Sequence, residues 1–431
     1  MSSRMVLRGA RYPGDIAFRD GYIEAVGEIS AQPDDVVVNC EQTVVTAGFV
    51  NTHHHLYQWM TRGRATGCDL FGWLQTLYPV WGRLDVDDVY AAALVGLGEL
   101  ALTGCTTAAD HHYLVPRGDD SVFDAIVQAA KVVGIRLHLS RGSMDLSNKD
   151  GGLPPDHVVE DLDAILASTQ RVIDTHHDGV MVTVVVAPCS PFSVSEQLMV
   201  ESAALARRHG LHLHTHLVET IEEEHHCLER FGRRPVDVLD EWNWIGPDVW
   251  VAHGIHLNDA EVARLGQQGT GVAHCPSSNG RLGAGMCRVV DLRLAGAPVG
   301  LGVDGVASNE VGGLFPELRQ SLITARLRAN DPACFMPGDA IYVASRGGAQ
   351  CLGRADIGAI APGQRADFSI WDVGDLDDMQ DVVAGLVLGP DRRARDVYVG
   401  GNAIVRDGLL TASDHVAARR ALALRAKRLW E

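Results

Sequence analysis

Short runs rich in β-branched and apolar residues recur along the chain, and each closes on polar side chains. In order they are "TVVTAGFVNTHHH" (43–55), "GCTTAADHH" (104–112), "GIRLHLSRG" (134–142), "VMVTVVVAPCS" (180–190), "GLHLHTHLVE" (210–219), "VWVAHGIHL" (249–257), "GTGVAHCPSSN" (269–279) and "APVGLGVDG" (297–305). Between most of them apolar residues recur with helical periodicity, as in "DVDDVYAAALVGLGELALTG", "DSVFDAIVQAAKVVG" and "SEQLMVESAALARRHG". Several of these segments end in Gly, a common residue just past a helix. Strands alternating with helices predict an α/β fold with a parallel sheet. Eight such units predict a (β/α)8 TIM barrel, which takes about 250 residues plus insertions.

Both ends of the chain read differently. "MVLRGARYPGDIAFRDGYIEAVGEI" alternates in short strands around an "RDG" turn, and "GAIAPGQRADFSIWDV" and "ARDVYVGGNAIVRDGLL" have the same character. These segments predict a small β-sandwich built from residues 1–49 and 358–431, flanking a barrel of residues 50–357. The stretch "SDHVAARRALALRAKRLWE" predicts a terminal helix within the second segment.

Composition narrows the partners. The chain is 46% hydrophobic and 21% charged, the balance of a soluble globular protein. A formal net charge of −18 speaks against nucleic acid or an anionic membrane. The nine cysteines are scattered and form no CxxC pair, which fits reduced thiols in a cytoplasmic protein better than a disulfide framework. No signal-peptide core opens the chain, and no run of 18 apolar residues predicts a membrane span.

The candidate chemistry lies at the C-terminal ends of the predicted strands, where a barrel carries its active site. Those ends hold His53 and His55, His111 and His112, Arg141, Cys189, His216 with Glu219, His253, His274 with Asn279, and Asp304. His53 and His55 are two apart, so on a strand they share a face, and His54 points away in a structural role. His212, His214 and His216 share another face. His216 is nearest the rim, while His212 and His214 are expected inside the barrel. Asp304 is a natural carboxylate ligand. His253 either binds metal or orients a water, and His274 is an alternative ligand. Imidazole plus carboxylate donors suit Zn²⁺, with Fe²⁺ or Mn²⁺ as alternatives. Residues 57–84 are rich in aromatics, including Tyr57, Trp59, Phe71, Trp73, Tyr78 and Trp81. They predict either a hydrophobic plug or a lid that stacks on a flat ring.

"GFVNTHHH", "HTHLVET", "VAHGIHL", "HCPSSN" and "GVDGVASN", followed by "IAPGQRADF", occur in order over nearly the whole chain. Together they resemble the amidohydrolase superfamily, in its cytosine/guanine deaminase branch. The resemblance implies one divalent metal, usually zinc, on His53, His55, His216 and Asp304. It also implies Glu219 as proton shuttle and His253 as the residue that polarises the attacking water, with Asp304 sharing the proton work. Binuclear members use a carboxylated Lys at a strand end, whereas this chain has only Lys131, Lys149 and Lys427, none at such a place. The family often assembles into homo-oligomers.

Gln58, three residues after His55, occupies the place where guanine deaminase-like enzymes read the purine edge, and an amide suits a lactam because it donates and accepts at once. Where those enzymes present Arg-Phe at the fourth strand end, this chain has "APCSPF", with Cys189 at the matching place. "NTHHHLYQ", "LFGWLQTLYPVWGRL", "SRGSMDLSNKDGGLPP" and "APCSPFSVS" together resemble enzymes that convert 8-oxoguanine to urate and ammonia. Pterin deaminases share the 2-amino-4-oxo ring, and triazine hydrolases are more distant. Trp81, Cys189 and His256 are the further candidate substrate contacts, Cys189 with packing as its alternative role. A non-catalytic scaffold of this superfamily would have lost ligands that this chain keeps.

Overall fold

A computed structural model describes residues 3–30, 32–115 and 118–431. Eight parallel strands close into a barrel in chain order: β1 Phe49–Asn51, β2 Cys105–His112, β3 Arg136–Ser143, β4 Val182–Pro188, β5 Leu213–Leu217, β6 Val249–His253, β7 Gly271–His274 and β8 Val299–Leu301. Each predicted run contributes one strand to the barrel, and β8 closes onto β1 through Leu301 and Asn51. The three quoted helical segments form helices at Val86–Leu102, Val122–Val133 and Glu196–Arg208.

The two-residue period of the strands sorts their side chains. Phe49, Val184, Val249 and Val272 face outward into the main core with Leu97, Ile126 and Leu198 of the helices. Their neighbours Val50, Val185, Trp250 and Ala273 face inward and fill the barrel floor. Fully burying one such large side chain contributes about 1.5–3 kcal/mol, so a continuous outer core carries most of the stability. The next inward position up β5, His214, stacks flat on Trp250 with centroids 4.4 Å apart. The floor therefore ends, and the polar site begins, at one layer of rings.

The run 43–55 corrects the prediction of a single strand. Thr43–Ala47 leaves the barrel and pairs antiparallel with Phe368–Asp372 in an outer five-stranded sheet, while Phe49–Asn51 starts the barrel. Gly48 makes the crossing possible, because a Cβ there would lie 2.2 Å from Thr106 Oγ1. A four-stranded sheet from residues 5–39 packs on this outer sheet through Leu7, Ile16, Phe18, Val45, Phe368 and Tyr398. The paired terminal segments are bolted to the barrel by Arg136 of β3, whose guanidinium makes a bidentate pair with Asp367 at 2.7 and 3.0 Å. The terminal helix His415–Arg428 is held by Glu99, which accepts from His415 and Arg419.

Among the described residues no helix is long and apolar enough to cross a membrane. All nine cysteines are free.

Candidate active site

Beyond β1 and β8 the chain makes one more parallel pairing, His54–His55 with Asp304–Gly305, which draws the first and eighth strand ends together. His55 Nε2 consequently lies 3.2 Å from Asp304 Oδ1, and His53 Nε2 lies 3.5 Å from the same oxygen. His216, at the top of β5, presents its Nε2 3.1 Å from that of His55. The edge of a tetrahedron around an ion with ~2.0–2.1 Å bonds is about 3.3–3.4 Å, so these separations match those of donors sharing one ion. His54 turns away and its Nδ1 accepts the His55 N–H at 2.8 Å.

Each imidazole is held in one tautomer from behind. His55 Nδ1 donates to the His111 carbonyl at 2.7 Å, and His216 Nδ1 donates to the Cys189 carbonyl at 2.6 Å. His53 is held through a relay. His214 Nδ1 donates to the Trp250 carbonyl at 2.9 Å, so its Nε2 must accept, and it accepts from His53 Nδ1 at 2.8 Å. In the neutral rings all three Nε2 atoms are therefore bare lone pairs, and His53 Nε2 is buried without a hydrogen-bond partner. Lone pairs facing at 3.1 Å repel unless a cation lies between them. This donor set fits a divalent metal ion.

Electrostatics agree. Burial drives the His53 and His216 pKa values well below the ordinary imidazole value. Burial acts the same way on His55, but the hydrogen bond and charge of Asp304 outweigh it and raise the net value. The Asp304 carboxyl is pushed up by burial yet held well below its usual range by His53 and His55. Its other oxygen accepts the Ser278 hydroxyl at 2.6 Å.

Two acid–base groups face one another beside this centre. His253 Nε2 is 3.6 Å from Glu219 Oε2, and His253 Nδ1 is oriented by Asn279 Oδ1 at 3.0 Å. Burial raises the Glu219 pKa, against the pull of His253. Val218, His253 and Asp304 all adopt left-handed backbone, with φ of +46°, +75° and +59°. Non-glycine residues rarely do so, and such strain of about 1–3 kcal/mol each is typical of functional sites.

A cavity of about 630 Å³, open mouth included, rises from the centre. Its floor has His55, His216, Glu219, His253 and Asp304, and Gln58 and Cys189 stand in its wall. Both amide atoms of Gln58 are buried without a partner. The amide lies against Gly305, where a Cβ would approach Gln58 Oε1 to 1.8 Å. Cys189 Sγ lies 3.9 Å from His216 Nδ1, and burial pushes its thiol up to about 12.

The aromatic segment divides its work. Phe71, Trp73 and Tyr78 of the helix Leu70–Trp81 line the cavity, whereas Tyr57, Trp59 and Trp81 are packed beneath as a plug. Two expected substrate contacts lie outside this lining. Trp81 lies behind Trp73 at 5.1 Å between centroids, its indole N–H donating to Thr61, and does not line the cavity. His256 is also outside the lining, its Nε2 bound to the Ala284 carbonyl at 3.0 Å. His274 is buried, and among the described residues it is not one of the donors close enough to share an ion, which are His53, His55, His111 and His216 in one group and His53, His253 and Asp304 in another. His111, by contrast, lies with His53, His55 and His216 within 4.8 Å, stacked on His216. The strand-end pattern placed His111 at the rim, but its closeness to His53, His55 and His216 and the relay through His214 had no signal in spacing alone, because both depend on neighbouring strands.

Imidazole and carboxylate donors at the C-terminal rim of a parallel barrel, under a mostly apolar cavity, are the parts of a metal-dependent hydrolytic site, and family and relatives make it a hydrolase acting on C–N bonds. The chain belongs to the amidohydrolase family, whose model matches residues 44–404. It is 47% identical over 414 residues to an 8-oxoguanine deaminase from Pseudomonas aeruginosa, covering 94% of this chain and 92% of that one. It is 35% identical over 432 residues to an isoxanthopterin deaminase from an unknown prokaryotic organism, covering 94% and 90%. Among solved structures, a zinc-complexed atrazine chlorohydrolase from Arthrobacter aurescens TC1 superposes with a TM-score of 0.91 at 28% identity, covering 97% and 99%.

Proposed function

We propose that this enzyme is a mononuclear metal-dependent aminohydrolase that converts 8-oxoguanine and water to urate and ammonia. The observation that carries the reading is the conjunction of clustered buried imidazole and carboxylate donors, three of which (His55, His216 and Asp304) line the cavity, with a buried, partnerless Gln58 amide in the same wall. His53, His55, His216 and Asp304 hold the ion, most reasonably Zn²⁺ given the imidazole-rich donor set. When bound, such an ion acts as a Lewis acid and lowers the pKa of a coordinated water toward ~7.

The chain's own groups do the rest. Asp304 and His253 orient the water and take its proton. Glu219, whose burial favours the protonated form, delivers a proton to the ring nitrogen next to the amino-bearing carbon. Attack at that carbon gives a tetrahedral centre, and a second proton transferred through Glu219 lets the amine depart as ammonia. Gln58 pairs with the lactam edge, and the lid aromatics Phe71 and Trp73 cover the ring. None of the described residues lining the cavity is Arg or Lys, which favours an uncharged heterocycle. Lys131 and Lys427 sit on helices, and Lys149 pairs with Asp156, so no lysine is offered as a bridging ligand.

Isoxanthopterin is the second reading, since it carries the same 2-amino-4-oxo edge for Gln58 and the isoxanthopterin deaminase relative is similar over most of the chain. Ammonia release from a panel of 8-oxoguanine, isoxanthopterin, guanine, cytosine and triazines decides between them. Turnover is expected to be fastest with 8-oxoguanine, and no release from any aminated ring would reject the proposal. The holoenzyme should contain one ion per chain. Glu219→Gln should keep that ion and lose about 10²–10⁴-fold in turnover.

A further inference from the structure

One acid in the cavity wall has no part in this chemistry. Glu223 is 2% exposed, lines the same cavity as Glu219, and forms no ion pair among the described residues. It sits in the first turn of the helix Ile221–Phe231 between Glu222 and Glu224. Acids in a first turn are ordinary because they complement the helix dipole, and that accounts for its two less buried neighbours. It does not account for a carboxyl turned inward without a cation, which costs desolvation.

The hydrogen bonds give the reason. Glu223 Oε1 accepts the Val218 N–H at 2.7 Å. A capping box would return the side chain to the N-cap residue, here Thr220. Glu223 instead reaches two residues further back, to the left-handed residue immediately before Glu219. The Val218 carbonyl is held from the other side by the N–H groups of Ile255 and His256 at 3.0 and 3.2 Å, just past His253. The Leu217 carbonyl accepts from Gly254 at 3.1 Å. The peptide flanking Glu219 is thus braced between its own helix and the loop that carries His253. Without Glu223 a buried N–H would be orphaned in a strained residue, which favours relaxation of the backbone.

We propose that Glu223 is a positioning residue that holds Glu219 opposite His253 through the Val218 peptide. The proposal rests on the reading of Glu219 as the proton carrier. What Glu223 supplies is an acceptor oxygen, so Gln serves in its place and Ala or Met does not.

The test uses metal-loaded enzyme with 8-oxoguanine as probe, each variant alone and with Glu219→Gln. Glu223→Ala is expected to lower kcat about 10- to 100-fold, the scale of a misplaced catalytic group. KM should stay within roughly two-fold and metal content near one ion per chain, because uniform binding is untouched. Glu223→Gln should stay within roughly three-fold of the parent. In the Glu219→Gln background, Glu223→Ala should add no further loss. Glu223→Met, similar in shape but without the oxygen, replaces Ala if that variant does not fold. A Gln variant as impaired as Ala or Met, a kcat for Ala or Met within two-fold of the parent, or an additive loss in the double variant would each overturn the proposal alone. Full turnover by Glu219→Gln itself would overturn the proton-carrier reading, and this proposal with it.

Discussion

Replacing His214 by Leu tests whether the metal centre depends on a residue that offers the ion no donor of its own. His214 fixes His53 by accepting its Nδ1–H at 2.8 Å while donating to the Trp250 carbonyl at 2.9 Å. Burial lowers its pKa to about 3, so the ring is neutral throughout any ordinary assay range and the relay does not reverse. Leucine leaves the His53 Nδ1–H buried with no acceptor, at a cost of about 1–3 kcal/mol. The ring escapes that cost by moving its proton to Nε2, which removes the lone pair offered to the ion. Loss of an outer hydrogen-bond partner typically weakens metal binding about 10–100-fold, or about 1.4–2.8 kcal/mol. The two figures overlap, so the expected change is one to two decades in Zn²⁺ affinity. Competition against a chromogenic chelator at fixed pH measures it directly. His214→Gln, whose amide oxygen accepts a hydrogen bond, should recover part of the loss. Zn²⁺ affinity of His214→Leu within two-fold of the parent would refute the relay.

Three further outcomes follow from the same coordinates. Gly305→Ala places a methyl group 1.8 Å from Gln58 Oε1, so it should expel the amide and lower kcat/KM at least about ten-fold with metal retained. The same change should be nearly silent in a Gln58→Ala background, and an undiminished effect there would contradict a steric role. Asp367→Ala strands the Arg136 guanidinium and should cost about 3–5 kcal/mol of stability, read as a lowered urea midpoint with unchanged slope. The third concerns Glu317, which burial raises from 4.5 to about 7. Folding therefore takes up a proton between those values, and stability falls as pH rises through that window. Glu317→Gln should flatten this slope, so that its Tm relative to the parent improves from pH 5 to pH 8. An unchanged difference across that range would show the carboxyl to be ionised in the folded protein.

Much of the architecture was legible in local pattern. Runs rich in β-branched and apolar residues marked β4 and β6, and helical spacing marked the segments between strands. The run at 43–55 reads as one strand because its apolar and β-branched residues continue on both sides of Gly48 with no turn cluster between them. The strand pairings show that two sheets meet there, at a glycine whose Cβ would clash with Thr106. In the site, the HxH spacing of His53 and His55 was enough to predict a shared face. The aromatic segment was legible as a cover, but which rings face the cavity was not. Trp73 and Trp81 are eight residues apart on one helix, and the Trp81 indole is taken up by Thr61 in the turn beneath.

Residue type and spacing by themselves determined the order of strands and helices, the rim on which chemistry collects, and donors suited to one divalent ion. These follow from short-range periodicity and from the chemistry of imidazole and carboxylate, neither of which needs a neighbour. The tertiary structure decided the rest. It chose the tautomer of His53 through His214, set Asp304 of the eighth strand end against two histidines of the first, pressed Gln58 onto Gly305, and braced Glu219 with Glu223. Each of these rests on a contact between chain segments whose separation in space local sequence does not encode, and on burial that gives a single hydrogen bond the strength to choose.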